Sequence, residues 1–306
     1  MNNGGFVNAH AHLDRANTEQ YFEKEEKYKF LKEKWKLIDR IKKESSCDDY
    51  KNRIELVLEQ QKSFGVCSVL SFIDIDDVVS SKAIEAAIDV RNDKKDINFK
   101  IACQTLKGVL DKSQNSIIEK YLPFVDVIGS LPGADTDKAK HIDQVMQWAK
   151  EYNKRLHVHV DQLNTPHEKE TELLARKTID WGLENRVTAV HSISLACQPK
   201  WYRQEIYKIS RDAGLSFITC PSAWIDHPRR EDLAPIHNSI TPVDELLKND
   251  LIVAIGSDNI HDIYKPFCNG DMMFELRMLL EACKIYDEEQ LINIATTNGK
   301  FVLDLQ

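Results

Sequence analysis

A chain of 306 residues with 42% hydrophobic side chains is long enough for one large domain or two ordinary ones. Its 41 basic and 49 acidic residues leave a net charge of −8 with no long basic stripe, which disfavours nucleic acid as a main partner. "MNNGG" is neither a basic nor an apolar leader, and no stretch approaches ~20 apolar residues, so a cytoplasmic protein away from membranes is expected.

In chain order, short apolar runs alternate with longer charged or amphipathic ones. The first run, "GFVNAH" (5–10), is followed by "EKEEKYKFLKEKWK" (23–36), which mixes both signs and reads as a solvated helix face. Seven more runs follow: "VCSVLSFIDI" (66–75), "NFKIACQTL" (98–106), "VDVIGSL" (125–131), "RLHVHV" (155–160), "RVTAVH" (186–191), "LSFITC" (215–220) and "LIVAIGS" (251–257). Most are continuous apolar runs, as in strands buried on both faces. The stretches 138–152, 167–184 and 199–214 carry apolar residues at three- and four-residue intervals, with Gly182 and Gly214 near two ends as caps. Eight such alternations predict a single (β/α)8 TIM barrel over 1–306. An open doubly wound sheet is the runner-up, but no G-x-G-x-x-G follows the first run. The seven cysteines (Cys47, Cys67, Cys103, Cys197, Cys220, Cys268 and Cys283) are widely spaced and include no Cys-x-x-Cys. They read as thiols of a reducing compartment.

In such barrels the active site lies at the carboxyl ends of the strands. Those ends read His10-Ala11-His12, His157-Val158-His159, His191 and Asp258-Asn259. Residues i and i+2 of a strand share a face, so His10 and His12 aim into one volume. Imidazoles with a carboxylate suit zinc or ferrous iron, and a water on such a metal loses a proton near neutral pH. Asp258 can take that proton, and His191 can contact the same water or polarise a substrate.

With this pattern the chain resembles the amidohydrolase superfamily, and within it the cytosine deaminase branch, over almost its whole length. "VNAHAHLD", "LHVHVDQ" and "VTAVHSISL" are similar to that branch's first-strand, fifth-strand and sixth-strand motifs. The region from "CPSAWIDH" to "AIGSDN" follows the order of its seventh and eighth strands. The resemblance implies that His10, His12, His159 and Asp258 hold one divalent metal ion, Zn2+ or Fe2+. It makes Asp258 also the general base and His191 an electrophile or water-orienting group. The fourth run ends in "VIGSLPG" and supplies no lysine to bridge a second metal. Period two alone puts His157 and His159 on one face. The resemblance selects His159 and leaves His157 on the opposite register or behind the ligands.

Three positions depart from the branch. Its general-acid glutamate falls at Gln162, which cannot shuttle a proton. The neighbouring Asp161 faces the other way in a strand. Its amide-binding glutamine is replaced by Leu106 beside Lys107 in "QTLKG", unless a register slip brings in Gln104. The carboxylate after the eighth-strand Asp is Asn259. These changes argue against cytosine as substrate. Trp224 is a candidate aromatic wall. The branch's flanking β-sandwich is not expected, because the first run starts near Met1 and the last residue is Gln306.

The expected function is a metal-dependent hydrolase acting on a C–N bond of a small nitrogen-rich or cyclic substrate, as a deaminase or as an amide or ring hydrolase. The competing reading is a degenerate relative that binds metal or ligand with little turnover. The expected partner is a small-molecule substrate, with neither nucleic acid nor membrane, and a homo-oligomer is allowed.

Overall fold

The computed structural model describes residues 4–225, 233, 236 and 238–305, with residues 224 and 225 in backbone only. Eight strands form one sheet in sequential order: β1 (Phe6–Ala11), β2 (Val66–Asp74), β3 (Asn98–Gln104), β4 (Val127–Ser130), β5 (Arg155–Val160), β6 (Val187–His191), β7 (Ser216–Thr219) and β8 (Val253–Ile255). Every neighbouring pair is parallel. The first strand approaches the eighth through a parallel bridge between Ala11 and Asp258. Two backbone bonds flank it: Asp258 N–H donates to the His10 carbonyl at 2.9 Å, and His12 N–H to the Asp258 carbonyl at 3.1 Å. The sheet is thus a nearly closed (β/α)8 barrel, as the alternating runs predict.

Thirteen helices complete the described chain. Three short ones, α1 (Lys24–Lys27), α2 (Leu31–Leu37) and α3 (Asp39–Glu44), lie between β1 and the long α4 (Cys47–Ser63). Then come α5 (Lys82–Asp93), α6 (Lys112–Tyr121), α7 (Lys138–Glu151), α8 (Glu170–Trp181), α9 (Lys200–Asp212), α10 (Val243–Lys248), α11 (Met272–Cys283), α12 (Glu288–Ala295) and α13 (Thr297–Val302). Local chemistry sets many of their ends. Ser46 and Asp49 form a reciprocal capping box on α4, and Asp111 and Asp137 cap α6 and α7. Gly182 closes α8 at φ +63°, a left-handed conformation that suits glycine. Among the described residues no helix is long and apolar enough to cross a membrane.

The strands are apolar on both faces because both faces are covered. Val69, Ile73, Phe99 and Ile101 join Ile54 and Leu58 of α4 and Ile84 and Ala87 of α5 in the outer layer. Leu70, Phe72, Ala102, Val190, Ile218 and Ala254 fill the barrel, with Val302 and Leu303 closing its floor. A register irregularity between Asn8 and Ala11 distorts β1. Across it, Ala9 belongs to the inner cluster and the His10 ring lies 4.5 Å from Phe72, so two successive residues face inward. Bulges re-aim side chains in this way. Asn8 faces outward and clamps three elements. Its amide donates to Gln61 of α4 at 3.0 Å and Ser257 Oγ at 2.8 Å, and its oxygen accepts from Ser257 N–H at 3.0 Å.

The 23–36 segment corrects one expectation. It is not simply a solvated face: Leu31 and Trp35 of α2 pack with Phe22, Ile38, Ile41, Ile263 and Tyr264 in a separate apolar cluster.

Gly256 sits where β8 passes β1. A Cβ there would lie 2.6 Å from the His10 carbonyl oxygen and 2.7 Å from the His10 Cβ. Because both neighbours are backbone-anchored, Gly256→Ala is expected to destabilise the fold by about 1–3 kcal/mol, the usual range for overpacking. Urea unfolding checks this, and an unchanged midpoint would show that β1 and β8 separate freely.

Candidate metal centre at the barrel mouth

The bulge in β1 and the ends of β5, β6 and β8 deliver five buried side chains to one place: His10, His12, His159, His191 and Asp258. Ring centroids of His10 lie 5.0 Å from His12, 4.8 Å from His159 and 5.4 Å from His191. Asp258 Oδ1 lies 3.4 Å from His10 Nε2 and 3.2 Å from His12 Nε2. Ligand atoms of His10, His159 and His191 fall within 4.8 Å of one another, and so do those of His10, His12 and Asp258.

These distances fit a shared cation. Donors about 2.0–2.2 Å from a tetrahedral ion lie roughly 3.3–3.6 Å apart. The hydrogen-bond census agrees: neither nitrogen of His10 is bonded, nor are His12 Nδ1, His159 Nε2 and His191 Nδ1, although all are buried. Such orphaned atoms are costly unless a ligand meets them. His159 is also oriented from behind, because its Nδ1 lies 3.0 Å from the Ser130 carbonyl. That bond fixes the tautomer in which Nδ1–H donates and Nε2 keeps its lone pair.

Electrostatics favour the ligand forms. Burial lowers the pKa of His10 and holds His12 and His159 well below the usual imidazole range. His191 falls to about 4, again through burial. All four are therefore neutral at pH 7. Burial works against ionisation of Asp258, but the close approach of the His10 and His12 rings to its carboxylate and the positive charge of Lys265 hold its carboxyl well below the usual carboxylate range. Lys265 is locked beside it, donating to Ser222 Oγ at 2.8 Å and to the Ser257 carbonyl at 2.5 Å.

The site opens into a narrow cavity lined by residues from several strand ends and from the segment after β1. Gln104, Gln162 and Asn259 all line it. Leu106 lines it too, but Lys107 does not, because its ammonium pairs with Asp39 of α3 at 2.5 Å. Gln104 thus stands at the wall beside Leu106, with its side-chain oxygen unbonded. The Trp224 side chain lies outside the described residues. His157 is not on the opposite register. It is buried inside the barrel one layer below His159, with Nε2 3.0 Å from the Val302 carbonyl. Arg15, Leu31, Trp35 and Tyr264 complete much of the wall, and motif reading missed them. Arg15 follows the His-x-His directly in "HAHLDR", and Leu31 and Trp35 stand four apart in a charged helix; these were the available signals.

Asp161, His191 and Asp258 have φ of +52°, +75° and +59°, uncommon for residues with a Cβ. The turn at Asp161 directs its carboxylate to the start of α8, where it accepts from Glu170 N–H at 2.6 Å and Thr171 N–H at 3.0 Å. Burial and the neighbouring Glu170 push that carboxyl up to about 7. Gln162, one residue on, faces the cavity instead.

Residues 4–306 match the model of the amidohydrolase family. The chain is 44% identical to an uncharacterized protein of Haemophilus influenzae over 251 residues, spanning 80% of this chain and 91% of that one. It is 28% identical over 280 residues to N-isopropylammelide isopropyl amidohydrolase of Pseudomonas sp., spanning 88% of this chain and 66% of that one. In fold it resembles 5-methylcytosine deaminase from Klebsiella pneumoniae liganded with phosphonocytosine, with a TM-score of 0.91 at 22% identity over 98% of this chain and 75% of that one. With its eight parallel strands and its buried histidines at their carboxyl ends, the chain belongs to the amidohydrolase family.

Proposed function

We propose that this chain is a metal-dependent hydrolase that cleaves a C–N bond of a small nitrogen-rich or cyclic substrate, as a deaminase or as an amide or ring hydrolase. The observation that carries the reading is the placement of Asp258 Oδ1 between His10 and His12 at 3.4 and 3.2 Å, at the edge of the cavity. Relatives named for N-isopropylammelide and 5-methylcytosine support a nitrogen-containing ring as substrate. One zinc or ferrous ion held by His10, His12, His159 and Asp258 would supply Lewis acidity and lower the pKa of water.

The chain's own groups divide the remaining work. Asp258 is ionised and is the one carboxylate among the described residues that line the cavity, so it accepts the proton. His191 is neutral and donates or accepts a hydrogen bond at the reacting atom. Gln104, Asn259 and, by proposal, Trp224 hold the substrate; Lys107 is released from that role by its pairing with Asp39. Gln162 can donate through its amide but cannot cycle a proton, and Asp161 is occupied at α8. That pairing at 161 and 162 also favours a second reading, a protein that binds metal and ligand with little turnover.

The ligand assignment predicts that the His10→Ala/His12→Ala double variant loses stoichiometric metal, measured by elemental analysis. A retained full equivalent would sink it. The division of roles predicts that Asp258→Asn removes nearly all activity. His191→Asn should lower turnover by about 10²–10⁴, the range for a lost acid–base group, with metal still bound. Metal loss in His191→Asn would make that residue a ligand. Finally, ammonia release from cytosine is expected to be poor in the wild type and to rise in Gln162→Glu at matched metal content. Wild-type turnover at ordinary enzyme rates, roughly 1–10³ per second, would show that Gln162 does not limit deamination.

A further inference from the structure

Arg15 is a buried guanidinium in the wall of the cavity, held on several sides yet not used up. Its Nε donates to Asn259 Oδ1 at 3.1 Å and stands 3.6 Å from Asp262 Oδ2. Its Nη1 stands 3.8 Å from Asp74 Oδ1, beyond hydrogen-bond reach, and makes no hydrogen bond among the described residues. The guanidinium carbon lies 5.0 Å from the centre of the Tyr264 ring, which fixes its plane. A buried N–H with no acceptor is expensive to retain unless a ligand supplies one.

We propose that Arg15 is a specificity-determining residue that recognises a neutral ring carbonyl on the substrate. This deepens the hydrolase reading above and rests on it. The surrounding charge selects the carbonyl over an anion. Asp74 and Asp262 already face the guanidinium, and Asp258 lines the same cavity. Asp74, itself 3.1 Å from Lys42, and Asp262 already balance the guanidinium, so an acceptor at Nη1 needs no charge of its own and a carbonyl oxygen suffices. The unbonded side-chain oxygen of Gln104 on the same cavity complements this with an acceptor for a ring N–H. Together they fit an oxo-substituted amino-pyrimidine or amino-triazine, whose lactam edge offers one carbonyl and one N–H.

The test is equilibrium titration calorimetry on the full chain with its metal, with product release followed separately. Two matched pairs serve as probes: ammeline against melamine, and cytosine against the aminopyrimidine that lacks its carbonyl. An aminopyrimidine carboxylate without a ring carbonyl serves as the anionic competitor. Wild type is expected to bind each oxo ring about 10- to 100-fold more tightly than its partner, the span for a hydrogen bond to a charged group. Arg15→Met should erase that ratio, and Arg15→Lys, which keeps one compact donor, should retain part of it. Because Arg15 is embedded among carboxylates, Arg15→Lys carries the test where Arg15→Met fails to fold, and the wild-type ratio can overturn the proposal in either case. Equal binding within both pairs overturns the proposal. So do tightest binding of the carboxylate, absence of binding by either oxo ring, and an unchanged ratio in a folded Arg15→Met. Discrimination with no product release from any of these rings would favour the reading of little turnover and leave this one. Turnover that ignores the carbonyl would remove this one alone.

Discussion

The site depends on one backbone pairing, that of Ala11 with Asp258, which ties the first strand to the segment after the last. Asp258 donates to the carbonyl of His10 and accepts from the N–H of His12, so both peptide groups of Asp258 are committed to the two histidines whose rings meet its carboxylate. Ligand geometry at that point is therefore set by the β-ladder and not by the side chains alone. A slip of one residue would turn the histidines to the other face of the strand. Asn8 guards against the slip one step below, since its amide can satisfy Ser257 and Gln61 together only in this register. Gly256 permits the close approach the ladder demands.

The barrel was legible in the sequence for a physical reason. Strands buried on both faces must be apolar throughout, and helices over them must alternate at three and four residues. Most of the eight runs and the stretches 138–152, 167–184 and 199–214 obey that rule, and all lie within a few residues of the observed elements. The histidines were legible because each ends a run. Less legible was everything set by contacts across the mouth. The irregularity in β1 depends on β2, which no local pattern in "FVNAHA" reveals. Leu31 and Trp35 were hidden by averaging, because a segment rich in Lys and Glu reads as solvated even when two residues on one helix face are apolar. Lys107 is drawn away from the cavity by Asp39, which is far away in sequence and which no local pattern around "QTLKG" reveals.

The interior is layered by polarity. Below the metal centre, Leu70, Phe72, Val190 and Ile218 supply apolar burial, worth about 25 cal/mol per Å2 removed from water. Above them, imidazoles, carboxylates and a guanidinium are buried with several atoms unbonded. Each such atom opposes folding by about 1–3 kcal/mol. A ligand that binds only the folded chain offsets that penalty by mass action. The upper layer is then a region of stored instability resting on a largely apolar floor, where the Val302 carbonyl meets Nε2 of His157.

Residues 161 and 162 show how the fold separates two demands that a regular strand would confuse. The start of α8 needs a carboxylate, because two N–H groups and the positive end of the helix dipole converge there. The cavity needs a particular group at the reacting atoms. At φ +52°, Asp161 turns the chain so that its own carboxylate serves the helix while Gln162 reaches the cavity wall. The backbone of the same turn is held twice more, by Ser194 N–H donating to the Asp161 carbonyl at 2.9 Å and by Leu163 N–H donating to Glu168 at 2.7 Å. The loop's shape therefore depends on Asp161, Glu168 and Ser194 and not on the side chain at 162. A change of glutamate to glutamine there alters what the cavity can do with a proton while leaving the supports of the loop in place.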